Sequence, residues 1–306
     1  MSTTGSVILA EVPSLSKLYL NAAGEAARRR LTGGPPRLSL PLVSHEVRGV
    51  RTDVATLTAF QHLLGETASD ELPAGFLHAM AFPVAMSVLN RDDFPLPLLG
   101  MIHLANRIEQ RATILFDQQV DISARVENLR SHRVGTQVDV IAEIRVAGTT
   151  VAAWQGVSTY LAKGVFLPGI DKRESVGNGT RPDFAAPDPT ALWQLGVETG
   201  RAYAAVSGDF NPIHLSALSA KALGMRTSIA HGMYLASRAL AEVGVPRGEH
   251  FRWDVSFEAP VFLPARVALD ISTTGGDFGA WQESAYVAWN ARSGRRHFSG
   301  TVSALQ

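Results

Sequence analysis

One stretch of the chain is apolar nearly all round. Residues 75–89 read GFLHAMAFPVAMSVL, with no Asp, Glu, Lys or Arg among them. At that length the pattern predicts a buried helix, with Leu72-Pro73 at its opening and Pro83 placed near the first turn or kinking it. From about Leu98 to Leu161 the period shortens. Met101–Ile108, Gln118–Leu129, Thr136–Val146 and Thr150–Leu161 are rich in β-branched and aromatic residues, alternate in part, and are punctuated by Gly135 and Gly148. They predict four strands with hairpin turns. The same succession returns later. Ile229–Val243 predicts a second buried helix, and Arg252–Glu258, Arg266–Thr273, Trp281–Ala291 and Arg296–Ala304 predict strands, with Gly294 in a turn. Flanking pieces are shorter. A helix is expected near Leu15–Arg30, a break at Gly33-Gly34-Pro35-Pro36, and strand over Leu38–Arg51. Thr52-Asp53 caps a helix to Leu64, and Ser216–Leu223 forms a short helix ending at Gly224. Ala191–Gly200 is weakly strand-like or helical.

Residues 164–189 are dense in Gly and Pro and poor in apolar side chains. That composition predicts a linker, because a long structureless stretch inside one compact domain is uncommon. The expected division is 1–163, a linker 164–189, and 190–306. The two halves can be laid over one another. Phe76–Ala81 parallels Ile229–Tyr234. Ala59-Phe60 with Gly65-Glu66 parallels Ala202-Tyr203 with Gly208-Asp209. The run from Ala147-Gly148 to Leu161 parallels that from Ser293-Gly294 to Leu305. Three matches in one order indicate an internal duplication. A long buried helix followed by an antiparallel sheet, twice over, is an α+β plan, with the sheets paired edge to edge and a cleft between the halves.

Composition narrows the function classes. The 306 residues suit two domains, and 46% hydrophobic content supplies a core. Formal net charge is zero, which gives no basic excess for neutralising nucleic-acid phosphates. Arg28-Arg29-Arg30 is the one basic run and reads as a solvated helix end. There is no cysteine, which excludes disulfides, thiolate metal sites and a cysteine nucleophile and fits a reducing compartment. No apolar run approaches a signal-peptide core or a membrane span, so the expectation is a cytoplasmic protein.

The chemistry concentrates in Ser207-Gly208-Asp209-Phe210-Asn211-Pro212-Ile213-His214, followed by His231-Gly232-Met233. Asn-Pro is a turn signal and can bring Asp209 and His214 to one cavity. A carboxylate beside an imidazole that titrates near neutrality can move protons. Gly232 stands at the start of an apolar helix, where a backbone N–H and the helix dipole can hold a developing oxyanion. Asn211 supports the turn. Tyr203 and Ser207 read as packing or supporting residues, and His231 as fixing the loop that presents Gly232. Trp154, Trp253, Trp281 and Trp289 read as core and sheet-face residues. No metal site is expected, because the nine histidines are scattered. Neither a nucleotide-binding glycine loop nor a Gly-x-Ser-x-Gly elbow occurs.

The segment Tyr203-x-x-x-Ser207-Gly208-Asp209-Phe210-Asn211-Pro212-Ile213-His214, with His231-Gly232-Met233, resembles the signature of the MaoC-like hydratase/dehydratase family. These are R-specific enoyl-thioester hydratases and 3-hydroxyacyl-thioester dehydratases of hotdog fold. The resemblance covers about residues 190–306. The first half is similar to the degenerate partner in double-hotdog members. Phe94–His103 is similar to mycobacterial-type double-hotdog (3R)-hydroxyacyl-thioester dehydratases. The resemblance implies reversible syn addition of water to a trans-2-enoyl thioester, with Asp209 and His214 as the catalytic pair and Gly232 as the oxyanion-hole residue. It implies no separate cofactor, since coenzyme A or acyl carrier protein arrives as part of the substrate. His214 is expected to act as base toward water and Asp209 as the acid at C2.

The first half departs from the signature. Glu66 stands where Asp209 would, no Asn-Pro or matching histidine follows, Ala79 stands where Gly232 would, and about ten residues are missing between Gly65 and His78. One active site per chain is expected, in a monomer whose halves pair internally or in a homodimer. Two rivals remain at this stage: a hotdog acyl-thioester hydrolase, and a non-catalytic acyl-carrier-binding subunit.

Overall fold

A computed structural model describes residues 5–32, 37–170, 184–244, 248–275 and 281–305, with no side-chain detail at 29–32. The expected break at 33–36 and most of the expected linker (171–183) lie outside the described residues. The elements are β1 (Gly5–Ile8), α1 (Leu15–Thr32), β2 (Val43–Val50), α2 (Val54–Leu64), α3 (Ala74–Leu89), β3 (Ile102–Gln110), β4 (Val120–His132), β5 (Gly135–Val146) and β6 (Trp154–Lys163). They continue with β7 (Ala191–Leu195), α4 (Thr199–Ser207), α5 (Pro212–Leu215), α6 (Ala217–Ala222), α7 (Gly232–Val243), β8 (Phe251–Phe257), β9 (Ala265–Gly275), β10 (Trp281–Asn290) and β11 (Arg296–Ala304).

The described chain forms two compact units that are not continuous in sequence. The first comprises residues 1–50, 80–106 and 119–181. Its strands run in the order β1-β2-β4-β5-β6-β3. The β4–β5 and β5–β6 ladders are antiparallel, with Ile122 opposite Ile144 and Val140 opposite Ser158. Alternation sends Val120, Ile122, Ala124 and Val126 to the core, where Ile144, Trp154 and the α3 residues Val84 and Val88 are also buried. Strand β1, which pairs parallel with β2, was not expected from Val7-Ile8; all four of its residues are exposed, so no alternation marks them.

The second unit comprises residues 51–79, 107–118 and 182–306. It holds α2, the first turns of α3 and the end of β3, together with β7–β11 and α4–α7. Its strands run β8-β11-β10-β9-β7 with antiparallel ladders. Trp253, Val255, Leu269, Tyr286 and Phe298 are buried, as are Leu235, Ala236, Ala239 and Leu240 of α7. Trp253 donates its indole N–H to the Tyr286 hydroxyl at 2.7 Å, so the polar ends of two core aromatics satisfy each other. Within this unit Arg107 donates to Asp254 at 2.7 Å. No described helix is long and apolar enough to cross a membrane.

Three details differ from the pattern reading. Pro83 lies well inside α3, past the first turn, so the Ala79 carbonyl loses its usual helical donor. Ala191–Gly200 divides into a strand and the start of α4. The second buried helix starts at Gly232. Ile229 and Ala230 are extended instead, paired with Phe262 and Val261. Their apolar side chains continue the helical pattern, but their backbone groups are taken by partners outside a helix: the Ile229 N–H donates to the Ile213 carbonyl, the Ile229 carbonyl accepts from His214, and the Ala230 N–H donates to the Val261 carbonyl.

Candidate functional site

The site is built by the link between α4 and α7. Helix α4 stops at Gly208, whose φ of 73° is left-handed and whose N–H caps the Ala204 carbonyl. Glycine adopts that conformation without a steric cost. Ser207 turns its hydroxyl back onto the Tyr203 carbonyl at 2.8 Å and accepts from the Asp209 N–H at 3.3 Å. Asp209 Oδ1 accepts from the Asn211 N–H at 3.2 Å. Asn211 then caps α5, its Oδ1 accepting from the Ile213 N–H at 3.3 Å with Pro212 in the first helical position. Two short polar side chains in sequence thus fold the turn that the Asn-Pro signal predicted, and they deliver His214 to the interior.

His214 is buried, and its Nδ1 lies 2.8 Å from the Ile229 carbonyl. A carbonyl only accepts, so Nδ1 carries the proton and Nε2 has the free lone pair. His231 is the N-cap residue of α7. Its Nε2 lies 3.0 Å from the Asp209 backbone carbonyl, so by the same argument it donates there. It also lies 3.7 Å from Asp209 Oδ2. That contact is not an ion pair, because burial holds the His231 imidazole neutral, well below its ordinary pKa. The rings of His214 and His231 stack at 3.6 Å between centroids and 23° between planes. Burial also lowers the His214 pKa, while the Asp209 charge and the Ile229 bond act in the opposite direction. Tyr203 is buried against His231 at 5.0 Å and Tyr234 at 5.7 Å, and burial pushes its phenol up, out of reach of titration.

Gly232 is the first residue of α7. Its N–H is one of the helix's initial donors without an intrahelical acceptor, at the positive end of the dipole. A Cβ at this position would stand 3.0–3.3 Å from the ring of Phe257, so the phenyl edge lies against the bare glycine. Phe257, distant in sequence, and the Ile229 carbonyl were both missed by sequence reasoning. No pattern around either residue announces the contact.

The histidines that looked scattered are not scattered in space. Asp209, His214 and His231 bring ligand-type atoms within 4.8 Å of one another. The donor set still does not fit a cation. Imidazole lone pairs lie in the ring plane, and two stacked rings aim theirs side by side instead of at one point. Moreover Nδ1 of His214 and Nε2 of His231 are already committed to carbonyls. What the cluster offers is one carboxylate, the His214 Nε2 lone pair and a helix N-terminus, which is proton-transfer chemistry.

Residues 176–291 match the family described as MaoC like domain. The chain is 33% identical over 297 residues to 3-hydroxyacyl-thioester dehydratase X of Mycobacterium tuberculosis, spanning 96% of this chain and 99% of that protein. The chain belongs to the MaoC-like dehydratase family. It is also 34% identical over 85 residues to the (R)-specific enoyl-CoA hydratase of Aeromonas caviae, 26% of this chain and 63% of that one. The crystal structure of HtdX of Mycobacterium tuberculosis superimposes with a TM-score of 0.71 at 31% identity, covering 86% of this chain and 100% of that one. The α+β plan read from the duplicated pattern and the double hotdog implied by the resemblance are the fold of this MaoC-like chain.

The residues of the first half that parallel the site differ from it in backbone setting as well as in identity. Helix α2 ends like α4, on a left-handed glycine, Gly65 at φ 71°. Helix α3, however, starts at Ala74, four residues before His78. His78 and Ala79 therefore lie inside a helix, where their counterparts His231 and Gly232 cap and open one. The Ala79 N–H is in the helical interior rather than among the initial donors.

Proposed function

We propose that this MaoC-like chain catalyses the reversible removal of water from a (3R)-3-hydroxyacyl thioester to give the trans-2-enoyl thioester. Residues 190–306 carry the catalysis and residues 1–163 are a degenerate copy. The observation that carries this reading is His214. Its Nδ1 is tied to the Ile229 carbonyl, so Nε2 keeps the lone pair, on a ring that is grouped in space with the Asp209 carboxylate. The names of the relatives, a 3-hydroxyacyl-thioester dehydratase and an (R)-specific enoyl-CoA hydratase, support the reaction class.

In the hydration direction the substrate carbonyl accepts from the Gly232 N–H. Water between Asp209 and His214 attacks C3 and gives its proton to His214 Nε2. The resulting enolate oxygen is held by the Gly232 N–H and the α7 dipole. Hydration runs from the form of the pair in which the Asp209 carboxylate has taken up a proton, and that proton then goes to C2. The pair ends with its one exchangeable proton on His214 instead of Asp209 and returns it before the next cycle. Dehydration is the reverse. Because the two groups share one proton, their titration belongs to the pair. Asn211 and Ser207 hold the turn, His231 holds Asp209, and Tyr203 backs His231. No metal or separate cofactor enters these steps.

The test is a hydration assay on crotonyl-CoA with chiral analysis of the product. Loss of enoyl absorbance with formation of the (3R) alcohol is expected. Release of free thiol with the enoyl bond intact would mean hydrolysis instead, and tight binding without turnover would mean a carrier-binding subunit.

A further inference from the structure

The link that carries the site has an outer surface of its own. Residues 209–231 leave the fold and return to it. Their ends are fastened by the Ile229 N–H donating to the Ile213 carbonyl at 3.1 Å and by His231 donating to Asp209. The middle, α6, is fixed to α5 by the Ser219 hydroxyl donating to the Pro212 carbonyl at 2.7 Å, and is closed by the Met225 N–H donating to Ala220 at 3.0 Å. Inside this compact loop sits His214. Outside it, Leu218 is 81% exposed, Leu223 57% and Phe210 45%. Leu218, Lys221 and Ala222 have the three- and four-residue spacing of one helical face, and all three are exposed. Large apolar side chains this bare, grouped on one short loop, mark an interaction surface more than a solvated one.

The charge of the segment is one-sided. Between Thr199 and His231 the sole carboxylate is Asp209, against Arg201, Lys221 and Arg226. Among the described residues none of these three cations has an ion-pair partner. Arg201 donates to the Leu215 carbonyl at 3.0 Å, and Arg226 lies 4.0 Å above the Phe262 ring. The matching stretch of the first copy, 54–79, carries Glu66, Asp70 and Glu71 and no Lys or Arg. The copy with the site has a cationic approach, and the copy without it an acidic one.

We infer that the outer face of this loop, formed by Phe210, Leu218, Lys221, Leu223 and Arg226, docks an acidic acyl carrier protein. This rests on the proposed reaction, since the carrier's prosthetic arm delivers the thioester to Asp209 and His214 on the inner side of the same loop. Phosphates of coenzyme A would engage the cations but leave Leu218 and Leu223 uncovered. A protein surface of carboxylates around apolar side chains covers both.

The experiment compares three forms of one substrate: crotonyl-pantetheine, crotonyl-CoA and the crotonyl group on a bacterial acyl carrier protein. The variants are Leu218→Asp and Lys221→Glu, neither of which belongs to the catalytic cluster. Each is expected to raise KM for the carrier-borne substrate at least about tenfold, the scale of a lost rim contact with reversed charge, and to leave the other two within about twofold. Unchanged turnover of crotonyl-pantetheine shows that the loop is still folded. If Leu218→Asp does not fold, Leu218→Ala with Lys221→Gln takes its place. An equal rise in KM for crotonyl-CoA and the carrier would make the surface a phosphate site. No change anywhere, or a wild type that turns over crotonyl-CoA but not the carrier form, would overturn docking. Failure of the wild type on all three substrates would overturn the reaction instead. Docking is then decided by calorimetric titration of holo-carrier protein into wild type and Lys221→Glu, with no binding to wild type counting against it.

Discussion

Between Gly65 and Ala74 the chain uses residues 66–73 to pass from α2 to α3; between Gly208 and Gly232 it uses residues 209–231 to pass from α4 to α7. Both links leave a helix ended by a left-handed glycine and both arrive at a buried helix. The longer one has room for two capping turns, which set Asp209 and His214 in place. It also ends in an extended pair of residues held to Val261 and Phe262, so α7 cannot start before Gly232. The shorter link lets α3 wind up from Ala74, and the backbone N–H matching that of Gly232 falls inside a helix. Site formation in this fold therefore depends on where the helix begins as much as on which residues are present.

The most severe way to break the comparison is to remove the pair. Asp209→Asn and His214→Ala should each lower turnover of the enoyl thioester by at least about a hundredfold, the scale of lost acid/base catalysis. Glu66→Gln, at the matching position of the first copy, should leave kcat within about twofold. Steady-state rates on crotonyl-CoA decide it. Near-wild-type rates for either site variant would end the proposed mechanism, and a large loss in Glu66→Gln would mean that the first copy takes part.

The histidines sharpen it next. His78 is buried in α3, and burial lowers its pKa to about 4. A folded pKa below the unfolded value near 6.5 means that the unfolded chain binds the extra proton as pH falls. Stability from neutral His78 is thus full above about pH 6.5 and is lost progressively between there and about pH 4. At pH 5 the loss is about 2 kcal/mol. His231 and His214, also lowered by burial, act in the same direction. Denaturant midpoints at pH 7.5 and 5 should therefore fall for wild type and fall less for His78→Leu, whose catalytic rate at neutral pH should be intact. An equal fall in both proteins would mean that His78 is not kept neutral. Burial of His78 inside α3 is thus expected to show as acid sensitivity alone, whereas burial of His214 favours the neutral imidazole whose lone pair faces away from Ile229.

Much of this was legible in the sequence. The periodicities placed the two buried helices and nine of the strands, because those elements bury one face or all faces and so carry a pattern. The Asp-x-Asn-Pro-x-His spacing located the pair, because the turn is made by the motif's own side chains. What escaped lies where pattern and partner part company. β1 has four exposed residues and so no alternation to detect. Residues 229 and 230 continue a helical pattern while their backbone is claimed by Ile213, His214 and Val261. The stacking of His231 on His214 and the contact of Phe257 with Gly232 are long-range, and no local rule records them.

Gly232 gives a smaller effect of more specific meaning. With Phe257 ring atoms at 3.0–3.3 Å from a new Cβ, Gly232→Ala must displace the ring or the helix start. Lost carbonyl alignment should lower kcat about tenfold or more. The reciprocal change Ala79→Gly should leave kcat unaltered, since its N–H lies inside α3. It should cost about 1 kcal/mol of stability, as glycine in a helix does. Rates together with urea midpoints separate the two outcomes. Loss of activity in Ala79→Gly would place chemistry at the first copy's helix.

The smallest effects come from the two glycines that start the comparison. Gly65 and Gly208 have φ of 71° and 73°, and a Cβ at Gly65 would meet nothing within 4 Å. Alanine at either position should cost about 1 kcal/mol through the left-handed backbone, read as a shift in the urea midpoint. The resemblance ends there. Behind Gly65 the chain leads to α3, with the Ala79 N–H inside the helix, so Gly65→Ala should lower stability and leave kcat untouched. Behind Gly208 come Asp209 and the Asn211 N–H that it holds. Any relaxation of the Gly208 backbone rotates the carboxylate away from His214, so Gly208→Ala should lower kcat a fewfold with KM little changed. Equal kinetics in the two variants would show that the turn holds Asp209 independently of the helix end before it. The placement of the carboxylate would then rest on the bond from His231 to the Asp209 carbonyl.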